Sequence, residues 1–159
     1  MRQPPVNTIA DEALKAWKLT AVIFMSILWL LILAGLVLSV IFDISFLYAG
    51  IGILLGLLIH YLFVYLLPKV RWNRWRYEIF EQEIYIQHGI IIVSRTLVPM
   101  IRVQHVDTKQ GPILKKYQLA GVTISTAATT HEIPALREED AAGLRDRISA
   151  LARVDEDDV

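Results

Sequence analysis

The sequence of 159 residues contains no cysteine, which excludes a disulfide framework, a thiolate metal site and a cysteine nucleophile. Known hydrolase, kinase and dinucleotide-binding motifs are also missing. His88, His105 and His131 stand singly, without the repeated spacing of helical metal ligands. We therefore predict that the protein is not an enzyme and uses no cofactor or metal. A metal or acid–base site formed where these histidines converge in the fold is the alternative.

Charge is missing from two long stretches of a chain that is 55% hydrophobic. Leu19–Phe42 contains no charged residue and would span roughly 36 Å as a helix, enough to cross a hydrocarbon core of about 30 Å. Phe46–Leu67 repeats the pattern over roughly 33 Å, with His60 as its only strongly polar residue. Both stretches are predicted to be transmembrane helices. A cleaved signal peptide is the alternative for the first, but the run is too long and has no convincing cleavage site.

The connection Asp43–Ser45 is so short that the two helices must form an antiparallel hairpin. It contains no Lys or Arg, whereas basic residues flank the other ends of both helices. Because Lys and Arg collect on the cytoplasmic side, we expect a multi-pass protein of the cell membrane with both termini in the cytoplasm. The basic residues are Arg2, Lys15 and Lys18 before the first helix, and Lys69, Arg71, Arg74 and Arg76 after the second.

Aromatic residues collect at the same basic ends, as in the interfacial belt of membrane proteins. We therefore predict a membrane-interface group that contacts the lipid bilayer, although topology alone already explains its charges. The formal net charge of zero and the short basic cluster argue against a nucleic-acid-binding protein. The group comprises Trp17, Lys69, Arg71, Trp72, Arg74, Trp75 and Arg76.

Small residues within the spans predict where helices approach each other closely. Gly35 and Ser39 are four apart on the first helix, and Gly52 and Gly56 are four apart on the second. Counting from the turn puts Gly35 at nearly the depth of Gly52, which favours a seam within the hairpin. The alternative is that Gly52 and Gly56 form a contact between two chains, giving a homo-oligomer.

His60 is an ionisable residue inside a predicted span, where such residues are rare and often functional. A proton relay is one interpretation, but neither span contains a second ionisable side chain. Counting from the turn places His60 beside Trp29 and near Ser26. We favour a neutral His60 that is hydrogen-bonded to a neighbour.

After Pro68 the sequence changes to short alternating segments rich in Ile, Val, Thr and Tyr, which predict a β-rich domain. From Glu138 the period becomes helical, and Ala141, Leu144, Ile148 and Leu151 line one face. About six or seven antiparallel strands with one amphipathic helix predict a small barrel or strongly bent sandwich. The predicted strands are 76–80, 83–88, 90–100, 101–109, 122–127 and 130–134, with an uncertain segment at 114–117.

The β-rich part of the sequence contains several stretches in a characteristic order and spacing: Trp75–Ile79, Ile84–Gly89, Val98–Val106 with Gln110–Ile113, and Gly121–Ala127 with Ile133–Pro134. In these stretches the sequence resembles the bacterial pleckstrin-homology-like domain of the second type (bPH2). The two preceding helices are similar to those of its YdbS-like members. The resemblance implies an α+β membrane protein of a bacterium, with a transmembrane hairpin, a PH-like barrel or sandwich of about seven strands and a C-terminal helix. The chain would then begin with a cytoplasmic segment, 1–18. Two transmembrane helices, 19–42 and 46–67, would flank an extracytoplasmic turn, 43–45. A cytoplasmic PH-like domain, 68–154, and an acidic tail, 155–159, would follow.

Functionally, the resemblance favours an interaction or scaffold module in a complex with another membrane protein that carries PH-like domains. Eukaryotic PH domains bind phosphoinositides with basic residues at the first hairpin loop, where this sequence has Glu81-Gln82-Glu83. Acidic side chains there would repel a phosphorylated headgroup. Two alternatives stay open: a module that senses anionic lipid at the inner leaflet, and an accessory subunit of a transporter or membrane enzyme.

Overall fold

The computed structural model describes residues 3–43 and 45–157, with side chains up to Arg153. The chain divides into two compact units. The helical unit comprises Trp17–Lys69, and the sheet unit comprises the described residues up to Ala16 and from Val70 onward. The expectations for Arg2, for Ile44 in the turn and for the end of the acidic tail lie outside the described residues.

The helices are longer than the predicted spans. Helix α1 covers Glu12–Ile41 and therefore begins before Leu19. The second helix is continuous over Phe46–Arg74, as α2 (Phe46–Tyr61), a π-helical turn (Leu62–Leu66) and α3 (Leu67–Arg74). Both helices are long and apolar enough to cross a membrane.

Pro68 does not end the second helix, although the sequence analysis placed the domain boundary there. Proline cannot donate the helical hydrogen bond and its ring clashes with the preceding turn. The helix widens just before it, and the Leu67 N–H donates to the Leu62 carbonyl, five residues back. This π-helical turn accommodates the proline and lets the helix continue to Arg74.

Seven antiparallel strands form two sheets in the sheet unit. The first sheet has the order β1-β2-β3-β4, with β1 at Asn7–Thr8, β2 at Arg76–Ile79, β3 at Glu83–His88 and β4 at Ser94–Pro99. The second has the order β5-β6-β7, with β5 at Val103–Lys109, β6 at Leu119–Thr126 and β7 at Thr130–Arg137. The sheets do not close into a barrel, so the sandwich alternative is the one that the structure shows.

Helix α5 (Glu138–Asp157) follows β7 directly and contributes Ala141 and Ile148 to the core. The core is aliphatic, and burial of each such side chain stabilises the fold by about 1.5–3 kcal/mol. Both sheets also contribute fully or nearly fully buried residues, among them Ile84, Ile86, Val98, Leu119, Val122, Ile124 and Ile133, and Met100 is buried in the turn that follows β4.

Three elements differ from the predictions. Strand β4 begins at Ser94, so the apolar run from Ile90 is a loop. The uncertain segment forms a short helix, α4 (Pro112–Lys116), with proline in its first turn as helices favour. The N-terminal segment, for which no element was predicted, supplies β1 and pairs with β2 through Asn7–Tyr77 and Thr8–Arg76.

Candidate interaction sites

Gly56 lies in the seam of the helical hairpin. It is buried, and a Cβ atom added to it would lie 2.5 Å from Ile32 Cδ1 and 3.6 Å from Trp29 Cη2. An added Cβ at Gly35 or Gly52 would meet no atom within 4 Å. The structure therefore brings Gly56, but neither Gly35 nor Gly52, into close contact with the other helix of the same chain.

Ser39 is buried, but its hydroxyl serves its own helix. The Oγ donates to the Leu36 carbonyl at 2.8 Å, a local bond that serine makes in apolar helices. Its place in a helix–helix contact remains a prediction.

His60 lies beside Trp29, the neighbour expected from counting residues outward from the turn. The Trp29 indole N–H donates to His60 Nδ1 at 3.2 Å. An Nδ1 that accepts a hydrogen bond belongs to an imidazole that is neutral and carries its proton on Nε2. The Ser26 hydroxyl instead donates to the Ile23 carbonyl at 2.6 Å. This geometry accommodates a neutral His60 that accepts a hydrogen bond from Trp29.

The predicted interface residues have different surroundings in the two units. Lys69 is exposed in the helical unit, where Lys18 Nζ also lies 5.4 Å from the centre of the Tyr65 ring. In the sheet unit, the Trp72 indole N–H donates to the Ala10 carbonyl at 3.1 Å.

Trp75 belongs to the core of the sheet unit instead of facing lipid. It is only 6% exposed and stacks on the His88 ring, with ring centres 5.4 Å apart. It borders a cavity of about 460 Å³ that is also lined by Arg71, His131 and Glu132. The sequence could not distinguish a buried tryptophan from an interfacial one, because both follow a transmembrane helix.

Two of the three histidines of the sheet unit, His88 and His131, line the same cavity as Trp75, together with Glu132. No set of three or more His, Cys, Asp or Glu side chains among the described residues is placed to hold a metal ion. His88 stacks on Trp75, and His131 Nε2 lies 3.0 Å from the Thr129 hydroxyl. His105 is exposed on β5.

Strand β5 forms one end of the second sheet, and among the described residues its strand partner is β6 alone. Gln104, His105 and Asp107 are exposed along it. Its first half and helix α5 border a groove of about 310 Å³, to which α5 contributes Ser149, Ala152 and Arg153. A strand at the edge of a sheet, with a groove beside it, is a site at which an extended peptide can be added to the sheet.

The β3–β4 connection exposes a run of large apolar side chains. Ile91 is 90% exposed and Ile92 is 79% exposed, and Ile90 and Val93 are also exposed. Gly89, which precedes the run, has φ +131°, and a Cβ added there would collide with the Ile92 carbonyl oxygen. Only glycine fits this turn. This exposed surface was not predicted from the sequence, because four β-branched residues in a row are typical of a strand.

Comparison with known proteins agrees with this architecture. The family model of the bacterial PH domain matches residues 13–152. The chain is 52% identical over 159 residues to the UPF0699 transmembrane protein YdbS of Bacillus subtilis (strain 168), and the alignment covers 100% of both chains. No solved structure gives a significant match. The resemblance drawn from the sequence is thereby confirmed, and the chain belongs to the bacterial PH domain family, as a membrane protein with two apolar helices and a PH-like sandwich.

Proposed function

We propose that this protein is a membrane-anchored interaction module that binds another membrane protein with PH-like domains through the open edge of β5. Both termini and the sheet unit lie in the cytoplasm in this proposal. The support for that side is the Lys and Arg distribution, with basic residues before α1 and after α2 and none in the turn.

The observation that carries the proposal is the position of β5 at the end of its sheet. A terminal strand leaves a row of backbone N–H and C=O groups without a strand partner on one side. An extended segment of the partner can bond to these groups, while its side chains enter the groove that β5 and α5 border. The mixed charges of Asp107, Lys109 and Arg153 would select among segments and discourage pairing between copies of the chain.

Membrane anchoring makes a weak interface sufficient. Two proteins confined to one membrane meet at a high effective concentration, so a single added strand can hold them together without tight intrinsic affinity. A module of this kind needs no catalytic group.

The test is site-specific photo-crosslinking in the membrane, followed by gentle solubilisation and purification of the full chain. A photo-reactive residue at His105, on β5, is compared with one at Glu132, on β7 at the opposite end of the same sheet. We expect a crosslinked membrane protein with PH-like domains from position 105 and not from position 132. Purification of the chain alone, or equal crosslinking from both positions, would contradict the proposal.

A further inference from the structure

The β3–β4 loop, Ile90–Val93, displays apolar side chains that the fold leaves uncovered. Scattered exposed apolar residues are common on proteins, but contiguous ones mark an interaction surface. Here four in succession are exposed, and the two central ones are 90% and 79% exposed. Such a run indicates a contact with an apolar environment outside the described residues.

Hydrogen bonds connect the loop to Arg74, the last residue of the second helix. The Arg74 side chain donates from Nη1 to the Ile91 carbonyl at 3.4 Å. Gln87, at the end of β3, donates from Nε2 to the Arg74 carbonyl at 3.4 Å and accepts from Arg95 Nε at 2.9 Å. Together with the tight turn at Gly89, these bonds fix the loop beside the last turn of α3.

Chain length puts this last turn close to the membrane surface. Leu67 is the last residue of the predicted second span, and the helix rises by about 10 Å from there to Arg74. The headgroup layer on each side of a bilayer is about 5–8 Å thick. A loop bonded to Arg74 is thus within side-chain reach of the interfacial layer.

The charge and the apolar side chains of the loop suit the interfacial layer. The segment from His88 to Arg95 contains no acidic residue, so nothing in it repels anionic headgroups. Arg74 and Arg95 supply positive charge beside the apolar run, and this combination is typical of segments that lie in a membrane interface. A protein partner would be expected to leave some polar, directional contact within the run, and the loop offers only aliphatic side chains.

We propose that the side chains of Ile90–Val93 are buried in the interfacial layer of the membrane that the helices cross. The loop acts as a second membrane contact and restricts rotation of the sheet unit about its tether. This inference goes beyond the proposed function and does not depend on any protein partner.

The absence of native cysteine allows single thiols to be placed in the full chain. Ile91→Cys and Ile92→Cys place an environment-sensitive fluorophore on the loop. Glu81→Cys places the same label on the exposed turn at the opposite end of the β2–β3 hairpin. Each labelled chain is reconstituted into liposomes of phosphatidylcholine and phosphatidylglycerol, and its emission is measured with aqueous iodide or with lipids brominated on the acyl chain.

We expect the loop labels to shift to shorter wavelength, to resist iodide and to lose emission to brominated lipid. Bromine near the carbonyl end of the acyl chain should quench more than bromine near its tail, because interfacial insertion is about 5–10 Å deep. The protection should persist at high ionic strength, since apolar burial is not screened by salt. The Glu81→Cys label should be quenched by iodide alone.

Iodide quenching of the loop labels equal to that of the Glu81→Cys label would overturn the proposal. Resistance to both quenchers would overturn it as well, because it would mean that protein covers the loop. All three positions are exposed, so the substitutions remove no core contact. Unchanged tryptophan emission of the unlabelled variants provides the check on folding.

Discussion

The two glycines of α2 are expected to respond differently to a larger side chain. Gly56→Leu would place atoms where Ile32 and Trp29 now lie, and such overpacking costs about 1–3 kcal/mol. Gly52→Leu meets no atom within 4 Å of its Cβ in the same chain. We expect the thermal midpoint of the full chain in mild detergent to fall for Gly56→Leu only.

The same pair of variants separates the two interpretations of the glycine motif. If Gly52 and Gly56 form a contact between chains, Gly52→Leu should release the partner or the second copy while the chain itself keeps its stability. Equal loss of stability in both variants would contradict the assignment of Gly56 alone to the hairpin seam.

The tryptophan residues differ in how far the sequence could predict their contacts. Trp72 and Trp75 were both predicted at the membrane interface, because they follow an apolar helix. In the structure, Trp72 donates to the Ala10 carbonyl and Trp75 stacks on His88. Those partners are distant in sequence, so no local pattern could reveal them. The contact between Trp29 and His60 was predictable, because a hairpin with a short turn fixes which residues face each other.

Tyr77 on β2 is expected to make stability depend on alkaline pH. Burial raises the pKa of its phenol above the usual value of 10.0, and the negative charge of Asp140 raises the pKa further. Below pH 10 the phenol is neutral in both the folded and unfolded states, and its contribution to stability is complete. As the pH rises above 10 the unfolded state ionises first, so the folded state loses stability until the folded phenol also ionises.

We therefore expect Tyr77→Phe to lose less stability than the wild type between pH 10 and the folded-state pKa of Tyr77. Spectrophotometric titration should show one fewer late-ionising tyrosine in this variant. Asp140→Asn should lower the pKa of Tyr77 and weaken the effect. A slope of stability against pH in Tyr77→Phe equal to that of the wild type would contradict this assignment.

At the scale of elements, the hairpin β2–β3 and helix α5 were predictable because their signals are local. Alternating apolar residues and a short polar turn define the hairpin, and a helical period begins at Glu138, where α5 begins. The loop Ile90–Val93 was not predictable, because its residues favour strands. The tight turn that brings Gly89 close to Ile92 excludes a strand there. Strand β1 has just two residues and exists through its pairing with β2, which follows both helices in the sequence.

The N-terminal segment is expected to be essential to the sheet unit. Ile9 is 2% exposed, and the next residue, Ala10, donates its N–H to the Ala135 carbonyl of β7 at 3.2 Å. The segment thus contacts both sheets. Ile9→Ala should lower the free energy of unfolding by about 2–5 kcal/mol, because it removes buried methyl groups and leaves a cavity.

Val6→Ala is the matched control, because Val6 is 72% exposed a few residues away. Its effect should stay within about 0.5 kcal/mol. Urea unfolding of the detergent-solubilised chain, followed by tryptophan emission, measures both. Equal effects would show that Ile9 is not part of the core. The same packing means that a fragment beginning at Arg76 lacks β1 and is a poor substitute for the whole chain.

In the whole molecule, the chain connects the PH-like sandwich to the apolar helices twice, once before α1 and once after the second helix. The segment before α1 supplies a strand, and the segment after α2 continues as a helix to Arg74. The sheet unit is therefore connected to the membrane by two segments, one on each side of the helical hairpin.

The distribution of charge predicts how the whole chain is oriented in the membrane, and two thiols can test this prediction. Ser45→Cys places a thiol at the start of α2, next to a turn without Lys or Arg, and Glu81→Cys places one on the sheet unit. We expect a membrane-impermeant maleimide to label Ser45→Cys in intact cells and Glu81→Cys only after permeabilisation.

The reverse labelling pattern would put the sheet unit outside the cell, and the basic residues after α2 would then need another explanation. Labelling of both thiols from one side would mean that the apolar helices do not span the membrane as a hairpin. The reverse pattern would also exclude a cytoplasmic partner, since β5 would then lie outside the cell. The side on which Glu81→Cys reacts therefore decides which proteins can reach the β5 edge at all.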